Sequence, residues 1–340
     1  MKHSTLLNRL SNQFKIHVSK SHRIVSGVYK VRLTNGSVYA LKSMPYPISK
    51  IKWIDRTLNQ LRKSGFSKVS WRHPSKKNEK VLYARAASKR VPYILTPWVK
   101  GRWASPYSKK DMIASGKILA EFHLHAASIK PSEKGANNRI GSWPSELEEK
   151  YLKLNKHIQL AAAGGYKNIL DSHFRTHGEE IKKYAHQSLR LLEKSSYQTA
   201  CKEALRKNPL CHGDGGPGNI IITKTGPCLI DFETLCIDLR SYDLYRVIFN
   251  SCHQHNWDFT SAKHILDGYQ SVTSLKKRDF ELLKVLLRFP RTTALVLNKY
   301  HRSRLKRKKR VAKKLLQTIH AERKVTSFIH QLDLYAKKSK

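Results

Sequence analysis

The sequence predicts an α+β chain in two lobes, a small β-rich lobe over residues 1–98 and a large helical lobe over residues 99–340. Three observations carry this. The runs Val28-Tyr-Lys-Val-Arg-Leu and Val38-Tyr-Ala-Leu-Lys flank Thr34-Asn35-Gly36, and Asn-Gly between two β-rich runs is the strongest short-range hairpin signal. Helical periodicity sets in after the short connector Lys100-Gly101-Arg102 and holds through most of the remaining chain. It is interrupted by two short β runs, Ile220–Thr223 and Cys228–Ile230.

The elements follow in order. Strand-like alternation begins at Ile24 and runs through the hairpin to Pro45. Ile51, Ile54, Leu58 and Leu61 then fall on one helical face, with Gly65 placed to stop the helix. Val81–Tyr83 and Tyr93–Trp98 read as further strands. In the large lobe, Ser108-Lys-Lys-Asp111 has the pattern of a capping box, and Met112, Leu119, Phe122 and Ala126 follow at helical spacing. Further helices are expected near 146–163 and 167–194, again from Arg240, and through 277–299 with one break at Pro290.

Composition bounds the function. With 340 residues, 40% of them hydrophobic, the chain can bury a core in each lobe. Its 66 Lys and Arg stand against 24 Asp and Glu, a net charge of +42. So large an excess repels itself and calls for an anionic partner, such as an acidic protein or another polyanion. The densest run is His301 to Lys314. Sequence-specific nucleic-acid binding is not expected, because zinc-finger spacing and aromatic RNA-binding motifs are both missing. The 17 histidines show no metalloprotease spacing. Five cysteines without a CxxC pair read as free thiols in a reducing compartment. The first residues lack the apolar stretch of a signal peptide, and no run has the length of a transmembrane segment, so synthesis in the cytoplasm is expected.

The chemistry concentrates in Leu210-Cys-His-Gly-Asp-Gly-Gly-Pro-Gly-Asn219, followed by Ile230-Asp231-Phe232. His212-x-Asp214, Asn219 and Asp231 have the order and spacing of a kinase catalytic segment. Asp214 is the candidate catalytic carboxylate, positioned to orient an attacking hydroxyl and accept its proton. Asn219 and Asp231 offer the hard oxygens that Mg²⁺ prefers. Lys42 ends the strand Val38-Tyr-Ala-Leu-Lys, where kinases carry the lysine that pairs with the ATP phosphates. His212 is expected to brace the loop, and Asp243, in the first turn of the next helix, to support it from behind. Singly, each residue has a plainer reading: a turn, a hairpin lysine, a helix-start acid. Their joint order in matching elements argues for the site.

His212-Gly-Asp-x4-Asn219 with Ile230-Asp231 resembles the aminoglycoside phosphotransferase branch of the protein-kinase-like superfamily. Val28-Tyr-Lys-Val, Tyr39-Ala-Leu-Lys42, Tyr93-Ile-Leu-Thr-Pro-Trp-Val-Lys-Gly-Arg102 and Leu119-Ala-Glu-Phe-His123 extend the resemblance to the CotS family of spore-coat proteins. The resemblance runs from about Ile24 to beyond Ile248. It implies a two-lobed protein-kinase-like fold, ATP and Mg²⁺ as ligands, and deposition in the spore coat.

Three departures bear on turnover. Ser26-Gly27-Val28 offers one glycine where protein kinases have a glycine-rich phosphate loop. The helix beginning near Ile51 has no glutamate to pair with Lys42, and Asp55 is the nearest candidate partner. Gly215-Gly216 after Asp214 is expected to loosen the loop. The basic large lobe also works against a polycationic antibiotic as substrate. The leading expectation is therefore a kinase-like spore-coat protein that binds Mg·ATP and phosphorylates a hydroxyl on a coat protein or small molecule. Its rivals are a catalytically inactive structural coat component whose basic surface binds acidic partners, and a polyanion-binding protein.

Overall fold

The computed structural model describes residues 3–85, 91–163, 169–207, 209–301 and 305–338, with side chains described except at 3–4, 169–170, 298–301 and 305–312. The small lobe opens with helix α1 (His3–Phe14) and strand β1 (Val18–Val25), followed by β2 (Val28–Leu33), β3 (Val38–Ser43), helix α2 (Ile48–Lys63), β4 (Ala84–Arg85) and β5 (Pro92–Pro97). The strands form one antiparallel sheet in the order β1-β2-β3-β5-β4. Alternation does the work the sequence anticipates. Tyr29, Val31, Leu33, Tyr39 and Leu41 bury one face of the sheet, and α1 covers it with Leu7, Leu10 and Phe14. The opposite neighbour, α2, buries Ile51, Trp53, Ile54, Leu58 and Leu61 in the cluster that continues into the large lobe.

Three elements here depart from the sequence reading, the first being helix α1, which precedes every expected element. The strand expected at Val81–Tyr83 forms instead at Ala84–Arg85, where it pairs with Tyr93 and Pro92 of β5. Most of β1 lies ahead of Ile24. Its residues are largely exposed along the sheet edge, so it lacks the apolar alternation that marks a half-buried strand.

The large lobe begins with β6 (Arg102–Trp103) and runs through α3 (Lys109–Ala126), α4 (Trp143–Ala162), α5 (Ile169–Glu193) and α6 (Tyr197–Lys207). Then come β7 (Leu210–Cys211), β8 (Ile220–Thr223), β9 (Gly226–Leu229), β10 (Cys236–Ile237) and α7 (Arg240–Cys252). The last helices are α8 (Phe259–Gln270), α9 (Lys277–Arg288), α10 (Arg291–His301) and α11 (Leu305–Lys338). The break at Pro290 falls between α9 and α10, as its missing N–H requires. The start expected for α5 at Lys167 lies outside the described residues, as do residues 302–304 of the basic run His301–Lys314, whose backbone from Leu305 is helical.

At the start of α3 the capping box is only half formed. Ser108 Oγ accepts from the Asp111 amide at 3.3 Å, but the Asp111 carboxylate turns to Arg102 and to the Ser105 amide instead of back to Ser108. An arginine fork satisfies both oxygens of a carboxylate, which a single backbone N–H cannot do. The connector is thereby clamped to the first turn of α3.

Two backbone seams bring the lobes together at the catalytic segment. The connector strand β6 pairs with β8, so Arg102 lies opposite Ile222. The chain after α2 runs beside β9, with the Leu229 amide donating to Lys68 at 2.9 Å and the Ser70 amide donating to Leu229 at 2.9 Å.

Candidate active site

The catalytic loop hangs between β7 and β8 and is held from behind by α7. Asp243, in the first turn of that helix, is fully buried. Its two oxygens accept the amides of His212 and Gly213 at 2.6 and 2.7 Å. His123 of α3 donates Nε2–H to the same carboxylate at 3.0 Å and accepts the Tyr269 hydroxyl at Nδ1, 2.8 Å away. Buried charge is tolerable here because each of its oxygens is hydrogen-bonded. Gly213 has φ +82°, and a Cβ at this position would sit 2.2 Å from the Thr234 carbonyl oxygen. Only glycine meets both conditions.

His212 is fully buried against Phe232, the ring centroids 4.6 Å apart. Its Nε2 donates to the Ile230 carbonyl at 2.9 Å, which leaves Nδ1 to accept the Asp214 amide at 3.3 Å. The histidine thus ties the Asp214 loop to the strand end that carries Asp231. A second tie runs through Asn219, whose Nδ2 donates to the Asp214 carbonyl at 2.8 Å and to its carboxylate at 3.2 Å. The Ile230 amide donates to the Asn219 carbonyl at 3.0 Å. With Nδ2 committed to Asp214, the side-chain oxygen of Asn219 is the atom left to serve a cation.

Asp231 adopts a left-handed backbone, φ 66° and ψ 63°, an uncommon conformation for a residue with a side chain. Lys42 crosses from β3 to meet its carboxylate and lies 3.1 Å from Glu233. All three side chains are partly open to solvent, so the pair is reachable by a ligand. Tyr46 and Lys50 border the same carboxylates, with the Lys50 ammonium 3.9 Å from the Tyr46 ring centre. Burial, then the charges of Glu233 and Asp231, push the Tyr46 hydroxyl up; burial draws Lys50 down against the pull of Glu233.

Asp214 has partners that spacing within its own segment does not announce. Arg246 of α7 pairs with its Oδ1, and Asn250 donates to the same oxygen at 2.9 Å. Burial raises the Asp214 pKa, but the charge of Arg246 and the hydrogen bonds from Arg246 and Asn250 outweigh it, so the carboxyl lies below its ordinary value. Asp243, Arg246 and Asn250 are spaced i, i+3, i+7 on one face of α7, a polar stripe that the sequence displays. Gly216 is closely packed in this loop. A Cβ there would meet the Asn250 side chain at 2.4 Å, so its bareness is what admits Asn250 beside Asp214.

Lys42, His212, Asp214, Asn219, Asp231 and Asp243 are therefore linked in one continuous set of contacts. Asp55 is not part of it. Its carboxylate is buried in α2 against Arg72, at 2.5 and 2.7 Å, and accepts Trp71 Nε1 at 2.9 Å. The expected pairing with Lys42 fails because the face of α2 that carries Asp55 packs on the chain following that helix. Lys42 takes its carboxylates from the large lobe instead.

The residues present fit a divalent cation. Asp231 and Glu233 both meet Lys42, Asn219 is tied to the strand end before Asp231 through the Ile230 amide, and carboxylate and amide oxygens are the donor type that magnesium favours. Among the described residues, His123, Cys211 and Asp243 also bring three donor atoms within 4.8 Å of one another. There, however, Asp243 is consumed by backbone amides and His123.

Residues 25–280 match the model of the phosphotransferase enzyme family. The chain belongs to that family. Among characterised proteins it is similar to spore coat protein S of Bacillus subtilis (strain 168), 26% identical over 257 residues that cover 73% of this chain and 72% of that protein. Its fold is similar to an aminoglycoside phosphotransferase from Alicyclobacillus acidocaldarius subsp. acidocaldarius DSM 446, with a TM-score of 0.77, 18% identity, and coverage of 98% and 97% of the two chains. A spectinomycin phosphotransferase solved with ADP and spectinomycin gives a TM-score of 0.68 at 16% identity, covering 98% of this chain and 99% of that one. The two-lobed kinase-like fold expected from the sequence is the fold of these phosphotransferases.

Proposed function

We propose that the protein is an Mg·ATP-dependent phosphotransferase of the spore coat, acting on a hydroxyl of a coat protein or small molecule. The observation that carries this is the meeting of Lys42 with Asp231 and Glu233, joined through Ile230 and Asn219 to Asp214. In this reading Lys42 binds the ATP phosphates, while Asn219, Asp231 and Glu233 hold the cation. Magnesium held there supplies positive charge against the β- and γ-phosphates. Asp214 orients the acceptor and takes its proton as the hydroxyl oxygen bonds to the γ-phosphorus and ADP departs. His212 and Asp243 position the loop. Assignment to the coat rests on the likeness to spore coat protein S.

A second reading, a structural coat component with little or no turnover, is favoured by two details. Asp214 is already occupied by Arg246 and Asn250. The β1–β2 turn consists of Ser26 and Gly27 alone, a short cover for phosphates. Formation of ADP from Mg·ATP decides between the two readings. The enzyme reading expects ADP from the wild type and loss of about a hundredfold or more in Asp214→Asn. Equal background rates in both would leave the structural reading.

A further inference from the structure

A cavity of about 710 Å³ opens in the large lobe between α4, α7, the end of α9 and the start of α10. That volume suits a small organic molecule. Trp143, Leu147, Leu154, Leu286 and Phe289 make much of its wall apolar. Its charged lining is lopsided: Arg139, Lys150, Lys153, Lys156 and Arg291 face two carboxylates, Glu146 and Glu149. Those acids are already engaged. Glu149 pairs with Lys153, and Glu146 binds Arg139 at 3.0 Å and lies 3.6 Å from Lys150. Arg139 also takes Asp238 at 3.1 Å.

Arg291 is left over. Among the described residues no carboxylate lies in ion-pair contact with it, and its buried Nε has no hydrogen-bond partner. Lys150 feels the same crowding: burial pushes its ammonium down, Glu146 pulls it up, and Arg291 and Arg139 push it down again. The Arg291 side chain is partly buried, with its guanidinium 5.7 Å from the Phe249 ring centre, and an anion entering the cavity would give it the carboxylate or phosphate partner it lacks.

Helix α7 borders this cavity and also carries the residues that hold Asp214. Tyr242 and Tyr245 line the cavity, and Arg246, one turn beyond Tyr242, holds Asp214. The Arg139 guanidinium lies 4.7 Å from the Tyr242 ring centre. Burial raises the Tyr242 hydroxyl to about 12 against the opposing charges of Arg139, Arg246 and Arg291. The buried Nε of Arg246 also lacks a hydrogen-bond partner.

We infer that this cavity seats the phosphate acceptor, and that the acceptor is an anionic alcohol: a hydroxyl compound with an apolar portion and a carboxylate or phosphate that pairs with Arg291 and Lys150. The inference rests on the phosphotransferase reading for the word acceptor, but binding of such an anion is testable without ATP. Suitable probes share one scaffold: phenyl β-D-glucuronide, the 6-phosphate of phenyl β-D-glucoside, neutral phenyl β-D-glucoside and cationic phenyl β-D-glucosaminide. Calorimetric titration should find one or both anions binding about tenfold or more tighter than the neutral and cationic probes. Whichever anion binds tighter identifies the charged group. In Arg291→Gln and Lys150→Gln that preference should fall about tenfold, while the Mg·ATP-induced rise in melting temperature persists and reports an intact fold. The inference is overturned if neither anion binds, if the neutral or cationic probe binds as tightly, or if the variants bind the anions as wild type does. Failure of the phosphotransferase reading has a separate signature, no ADP formation, which leaves the anion titration to stand or fall alone.

Discussion

Asp214, Asn219 and Asp231 could be found from the sequence because they lie within one short segment, where spacing along the chain constrains position in space. Their tertiary partners could not. Glu233 looks like an ordinary residue after Asp231 until Lys42 arrives beside it, and Asp55 looks like a partner for Lys42 until Arg72 claims it. A contact between residues far apart in sequence depends on how helices roll, and one sequence does not record that. Asp55→Asn should therefore lower stability by about 3 kcal/mol, the usual cost of breaking a buried ion pair, while the affinity for Mg·ATP stays at the wild-type level. Denaturant unfolding together with nucleotide titration checks both halves. A variant of normal stability with weakened nucleotide affinity would restore Asp55 as the partner of Lys42.

Elements with a clear apolar period were legible: α3 and the helices either side of Pro290 fall where the pattern expects them. The elements missed at the start of the chain differ in kind. Helix α1 does carry a readable stripe in Leu7, Leu10 and Phe14, whereas β1 is an exposed edge with no stripe to read. The corner of α9, α10 and α11 holds a feature that no periodicity reveals. Glu322 of α11 is buried, and burial raises its pKa from 4.5 to about 8, with opposing help from Arg288 and the amides of Thr293 and Thr292. The folded protein thus keeps a proton that the unfolded chain releases. This stabilisation is fully present below about pH 4.5 and is lost as pH rises towards 8. Asp238 acts in the same sense, its pKa raised from 3.8 to about 7. Between pH 7 and 8 Glu322 is the larger contributor of the two. Glu322→Gln should remove about 1 kcal/mol of the stability lost across that unit. Equal slopes for wild type and variant would mean that Glu322 titrates normally.

At the scale of the whole molecule the net charge of +42 is the dominant property. It was readable at once, but its purpose was not, since charge reports on surroundings more than on fold. No helix among the described residues is long and apolar enough to cross a membrane. Polyglutamate, a model acidic polymer, should bind the protein and lose affinity steeply as salt rises. Binding that ignores ionic strength would contradict the electrostatic account. The same excess of cations reaches inward, to the lining of the cavity beside α7.

If Lys42, Asn219, Asp231 and Glu233 form a working Mg·ATP site, as proposed, the nucleotide stabilises the folded protein, and thermal unfolding with and without Mg·ATP reads this stabilisation. The nucleotide should raise the melting temperature of the wild type, ATP with chelator should do so less, and Asp231→Ala should abolish the rise. A wild type whose melting temperature does not respond to Mg·ATP at saturating concentration, or an Asp231→Ala variant that responds as the wild type does, would contradict it.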